Sequence, residues 1–213
     1  MDAIIYNDYW ISTDTYLSQD HRDSNAQLIA DYLFNLGWTR EAVAGILGNM
    51  DVESSMNPAL IEGTGYHSLI TNQQCLNVSS NLGVGLVQWT GDTTTPPAGQ
   101  KLASFAIRYN MEWYDGQLQC FRLEREYQTN IQFNPGYVDG QYWDWALYVS
   151  STATPEQLAK VFQYLYERGG TDTQLRQQKA RYYYDIISRR LKPWMYFKFS
   201  TRRKELKRKC RRV

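Results

Sequence analysis

The stretch Gly45-Ile46-Leu47-Gly48-Asn49-Met50-Asp51-Val52-Glu53-Ser54-Ser55-Met56-Asn57-Pro58 constrains this chain more than any other. Val43, Ile46, Leu47 and Met50 recur at helical spacing, which predicts a helix with one stripe turned to a core. Glu53 falls on that same stripe, three residues beyond Met50 and seven beyond Ile46. Ser54-Ser55 and then Asn57-Pro58 predict that the helix stops there, with Asn57 capping a short helix or turn that runs to Glu62. Glu53 then lies in the last turn, where free carbonyls make the local field negative. Partial burial and that field both disfavour a carboxylate, so its pKa is expected to rise. A carboxylic acid kept protonated near neutral pH is what protonation of a leaving group requires.

Gly45 and Gly48 each cost this helix roughly 1 kcal/mol against alanine. Their expected use is to let another element come close to the helix backbone. Around this centre the chain reads as mostly helical. Residues 1–23 form an N-terminal arm without a sustained period, expected to be extended. Asp23 or Ser24 caps a helix carrying Leu28, Ile29, Tyr32, Leu33 and Leu36, and Thr39 caps the helix that ends at Glu53. Residues 63–82 read as a loop with room for a small hairpin. Gly83-Val84-Gly85-Leu86-Val87-Gln88-Trp89-Thr90 is too glycine-rich for a helix and reads as a strand or tight bend. Further helices are expected after Thr95-Pro96-Pro97, over about Asp115 to Gln128, after the capping box Thr154-Pro155-Glu156-Gln157, and from about Thr173. The fold class is therefore α+β, mostly helical, with a small β element near residues 63–90.

Charge divides the chain. The net charge is +1 over 213 residues, yet residues 189–213 hold 12 of the 23 Lys and Arg side chains against Glu205 alone. The remainder carries 11 basic and 21 acidic groups. The basic segment also contains Trp194, Tyr196, Phe197 and Phe199, a mixture suited to an anionic membrane surface or to DNA. Docking on an acidic protein and a solvated terminus are the other readings. Cys75, Cys120 and Cys210 have neither metal-ligand nor disulfide-framework spacing, so no metal or cofactor is expected. Neither a secretory signal nor an apolar run near the roughly 20 residues of a membrane span is expected. The 17 Tyr and 7 Trp suit either an aromatic core or a groove that stacks on sugar rings.

Four motifs in order carry a resemblance: Asn25-Ala26 through Gly37-Trp38-Thr39, GILGNMDVES with SMNP, GVGLVQWT, and Tyr166-Glu167-Arg168. Together they resemble the phage tail lysozyme family over about residues 24–187. The acid after a helix, followed by a GLxQ-like segment, is also similar to goose-type lysozymes and lytic transglycosylases. The resemblance implies a two-lobed lysozyme-like catalytic domain over 24–188, followed by the basic aromatic tail at 189–213. It implies a virion-associated enzyme that opens the host cell wall by cleaving the MurNAc–GlcNAc β-1,4 bond, with peptidoglycan and phage tail proteins as partners. Glu53 matches the family's catalytic acid. Gln88, Trp89 and Tyr166 match substrate-contacting positions; the other readings are a structural bend former for Gln88, a core residue for Trp89, and, from helical spacing with Phe162 and Leu165, equally a core residue for Tyr166. Glu62 is the candidate second carboxylate, and an ordinary solvated charge is its other reading. A hydrolase pairs two carboxylates, whereas a lytic transglycosylase manages with one, and both routes stay open. A non-catalytic tail or wall-binding protein and a conjugation-associated wall hydrolase are the alternatives.

Overall fold

The computed structural model describes residues 4–7, 10–13, 15–63, 69–78, 82–90, 102–169 and 171–187. The fold is a mostly helical, lysozyme-like α+β arrangement built around one buried helix. Helix α2 (Arg40–Ser54) is capped by Thr39, whose Oγ1 accepts the Ala42 N–H. Every residue from Ala42 to Asp51 is buried. The sequence stripe anticipates one buried face, but α2 is enclosed on all sides. Helix α7 (Pro155–Leu165) and helix α8 (Thr173–Ile186) pack against it most extensively.

The two glycines explain how they come so near. A Cβ on Gly45 would lie 2.9 Å from the Leu158 backbone of α7, and one on Gly48 would lie 2.4 Å from the Arg176 carbonyl oxygen of α8. Both are closer than packed atoms tolerate, so glycine lets α2 touch each neighbour's main chain. The close approach expected of this pair is present on both sides of the helix.

Residues read as an extended arm form a hairpin instead, with β1 (Ile4–Asn7) antiparallel to β2 (Trp10–Thr13). Trp10 is fully buried against Gly116 at the start of helix α5 (Gly116–Thr129), so this tryptophan fills core space. Helix α1 (Gln19–Phe34) starts a turn earlier than Asp23 or Ser24 would place it. Ser18 is its cap, accepting the His21 N–H, because a serine with acids behind it satisfies the first amides just as well. Beyond α2, Ser55 and Met56 adopt left-handed backbone (φ 51° and 57°), and residues 57–60 form a turn. Asn57 fixes that turn to β2, accepting the Ala59 N–H and donating to the Thr13 carbonyl.

The stretch read as a loop with room for a hairpin carries helix α3 (Asn72–Val78). The β element near 63–90 is reduced to single bridges joining Ile61 to Val84 and Val84 to Trp89. Among the described residues the second paired sheet is elsewhere: β3 (Gly136–Val138) lies antiparallel to β4 (Gln141–Trp143). Helices α4 (Leu102–Tyr109) and α6 (Trp145–Ser150) complete the described elements. The expected start of α4 near Thr95 and the whole basic tail lie outside the described residues. No described helix is long and apolar enough to cross a membrane.

Candidate active site

Glu53 sits in the last turn of α2, with 22% of its side chain exposed while the preceding turns are buried. Its carboxylate meets a partner that sequence reading missed. Arg176 of α8 places Nη2 2.5 Å from Glu53 Oε1, and its Nη1 donates to Asn49 Oδ1 at 3.0 Å. Asn49 lies one helical turn before Glu53 and is itself held, donating through Nδ2 to the carbonyls of Gly45 and Ala159. A sequence signal for Arg176 existed. Arg176, Ala180 and Tyr183 are the buried residues of α8, at helical spacing, so the arginine is a charge on a buried stripe just as Glu53 is.

Glu167 is the second carboxyl near this point, one residue beyond Tyr166 at the end of α7. The residue is half-buried, but its Oε1 is shut off from solvent and has no hydrogen-bond partner. Burial, reinforced by the charge of Glu53, holds the Glu167 carboxyl well above the usual carboxylate range, while Arg176 pulls the other way. Two acids in such different surroundings are an arrangement able to hold a proton on one and a charge on the other. Glu167 stands inside the Tyr166-Glu167-Arg168 motif, where attention falls on the tyrosine.

The other sequence candidates divide by burial. Trp89 and Tyr166 do come together, but inside the protein, at 5% and 1% exposure. The Trp89 indole N–H is shared between Glu126 Oε1 and the Tyr166 hydroxyl, both at 3.0 Å. Tyr166 Oη donates to Glu126 Oε2 at 2.5 Å, and its ring stacks on Phe162. Burial beside Glu126 pushes the Tyr166 phenol well above its usual range. These buried rings belong to the core and present no free face to a sugar. Gln88 is half-buried with φ 49°, and its Nε2 donates to the Gly85 carbonyl at 2.8 Å, closing the bend from 85 to 88. Glu62 is exposed, and its carboxylate accepts the Gly83 N–H while its own N–H bonds the Gly83 carbonyl. Ser54, beside Glu53, donates to the Leu86 carbonyl at 2.9 Å and so ties the acid-bearing turn to that bend. Gln119 supports the same bend, accepting the Leu86 N–H and donating to the Pro58 carbonyl. Among the described residues no group of His, Cys, Asp or Glu is placed to hold a metal ion.

A lysozyme-like helical fold with an acid at the end of its central helix defines the class. The sequence profile of the phage tail lysozyme family matches residues 24–187, and the chain belongs to that family. It is also 30% identical over 178 residues to Morphogenesis protein 1 of Bacillus phage B103, covering 83% of this chain. The match spans 43% of that relative, less than half its length.

Proposed function

We propose that this chain is a virion-associated peptidoglycan glycosidase that cleaves the MurNAc–GlcNAc β-1,4 bond, with Glu53 as the acid that protonates the glycosidic oxygen. The observation that carries the reading is the exposed tip of Glu53 at the end of an otherwise enclosed helix, beside a second, buried carboxyl in Glu167. Family membership supports the substrate class and a place among tail proteins acting at the host wall, and the relative's name, a phage morphogenesis protein, supports a place in the phage particle. Arg176 pairs with Glu53 in this structure, so proton donation uses the form in which that ion pair has opened. Glu167 is the reservoir we assign for the proton. Gln88, the half-buried residue of the otherwise buried bend at 85–88, is the adjoining group available to a sugar chain, while Glu62 ties the start of that segment at Gly83 to the preceding strand-like residues.

The same ion pair favours a second reading. A Glu53 permanently engaged by Arg176 suits a tail protein that binds wall polymer without turning it over. Digestion of purified peptidoglycan by wild type and Glu53→Gln, followed by mass spectrometry, separates the two. Glu53-dependent reducing ends identify a hydrolase, and Glu53-dependent 1,6-anhydro ends a lytic transglycosylase. Identical traces for the two proteins would overturn the enzymatic reading.

A further inference from the structure

On the far side of the Trp89–Tyr166–Glu126 network, α4 and α5 enclose an open pocket of about 120 Å³. Its charged lining is Arg108, Arg122, Arg125 and Glu126, with Phe105 and Tyr109 as aromatic walls and Thr129 as a neutral polar group. None of Glu53, Glu62 or Gln88 lines it, so it is separate from the candidate acid site.

The charge balance of this pocket is incomplete. Among the described residues Glu126 is its one carboxylate, and it is already engaged by Arg122 Nε, the Trp89 indole and the Tyr166 hydroxyl. Arg122 is only 4% exposed, and its Nη1 is buried without an acceptor. Its guanidinium also lies over the face of Trp89, 4.8 Å from the ring centre. A cation–π contact offsets part of a desolvated positive charge but accepts no hydrogen bond. A buried charged donor left unpaired is costly, and Arg108 and Arg125 add two positive charges around the same space. Planar guanidinium groups match the oxygens of carboxylates and phosphates.

We infer that this pocket is an oxyanion subsite, taking a carboxylate or phosphate carried by the wall polymer, with Arg122 as the buried anchor and Arg108 and Arg125 as the outer clamp. The choice of a wall polymer rests on the glycosidase reading; the oxyanion chemistry does not. Two sources present that chemistry in a cell wall: the carboxyl end of a peptide stem and the phosphodiester of an anionic glycopolymer.

The test is titration of the full chain, followed by calorimetry and by the Trp89 indole N–H resonance, with two probes: diacetyl-Lys-D-Ala-D-Ala and inorganic phosphate. The comparison protein is Arg108→Gln/Arg125→Gln, with thermal unfolding to verify its fold. Saturable binding of either probe, weakened at least about tenfold in the double variant and falling as salt rises, supports the subsite. The tripeptide binding better identifies a stem carboxylate; phosphate binding better identifies a phosphodiester. Absence of binding by both probes, or equal binding by the double variant, overturns the inference. Arg122→Lys is a second check, because it keeps the charge and loses the planar fork, so weaker binding without unfolding supports the anchor role and unchanged binding removes it. The same titrations on Glu53→Gln keep the two ideas apart. Bound probe with no Glu53-dependent products refutes the glycosidase alone, and products without bound probe refute the subsite alone.

Discussion

Arg176 Nη2 lies 2.5 Å from Glu53 Oε1, and the same guanidinium reaches Asn49 on the preceding turn of α2. One arginine from α8 thus sets the side-chain direction of the acid and braces the helix that carries it. Arg176→Ala leaves Asn49 Oδ1 and a partly buried carboxylate without their donor. Removing one member of a buried pair costs about 3–5 kcal/mol, and the 22% exposure of Glu53 brings the expected loss nearer 1–3 kcal/mol. Arg176→Lys keeps the charge without the two-pronged geometry and falls between. Urea unfolding measures the stability change. A pH profile of peptidoglycan cleavage tests positioning: displacement of its alkaline limb, where a general acid loses its proton, is expected in both variants, and an unmoved limb would reduce Arg176 to a structural brace.

Glu167→Gln tests the proton reservoir. The folded carboxyl titrates well above its usual range, so just above the ordinary carboxylate range the folded chain still holds a proton there that the unfolded chain has released. Its stability contribution is complete below the unfolded pKa and is lost as pH rises through the folded one. Glutamine cannot titrate, so this pH dependence disappears in the variant. Acid–base partners contribute about 10²–10⁴-fold, and a loss of cleavage in that range with an intact fold is expected at pH 7. Wild-type turnover by Glu167→Gln would remove the residue from the chemistry.

Much of this was legible in the sequence because backbone chemistry is local. The cap at Thr39, the cap at Thr154, the helix from Thr173 and the acid at the end of α2 all follow from spacing and capping. What escaped is tertiary. Trp10 reads as part of a loose arm until its indole is set on Gly116, 106 positions away. Trp89 and Tyr166 read equally as sugar contacts or as core, because rings that stack on sugars and rings that fill cores have the same composition, and only the packed structure places them inside. Glu167 was passed over beside a more familiar tyrosine. The glycines were read correctly in kind, although only the packed structure shows which helices they admit.

Gly48→Ala makes that last point measurable. Alanine improves helix propensity by roughly 1 kcal/mol, yet its Cβ would lie 2.4 Å from the Arg176 carbonyl oxygen and 2.7 Å from the Ala180 nitrogen. Both are backbone atoms, so α8 must move. Overpacking of this kind typically costs about 1–3 kcal/mol, and a net fall in unfolding free energy is expected. The shift carries Arg176 away from Glu53, so cleavage should fall more than in a variant destabilised equally at a distant site. A more stable Gly48→Ala protein would show that the two helices have slack.

Asp31 offers the clearest stability switch. It is 1% exposed in α1, its Oδ1 accepts from Gln27 Nε2 at 3.1 Å, and its Oδ2 is buried without a partner. Burial pushes its pKa up to about 7, against the opposing Gln27 hydrogen bond. The unfolded chain ionises this group at the ordinary aspartate value of 3.8, so between about pH 4 and 7 the folded state binds the extra proton. The associated stability is full below that window and declines as pH rises through it, by up to about 1.4 kcal/mol per unit. Above it both states are ionised and the slope vanishes, with a few kcal/mol lost across the whole window. Asp31→Asn keeps the shape and removes the titration. Urea midpoints for wild type and Asp31→Asn at intervals from pH 4 to 8 measure the difference, in which the other carboxylates cancel. The variant should gain on wild type steadily up to about pH 7 and hold a constant lead beyond. Parallel profiles would mean that Asp31 ionises in the folded protein as it does in the unfolded chain, and that its buried Oδ2 is solvated by some other route.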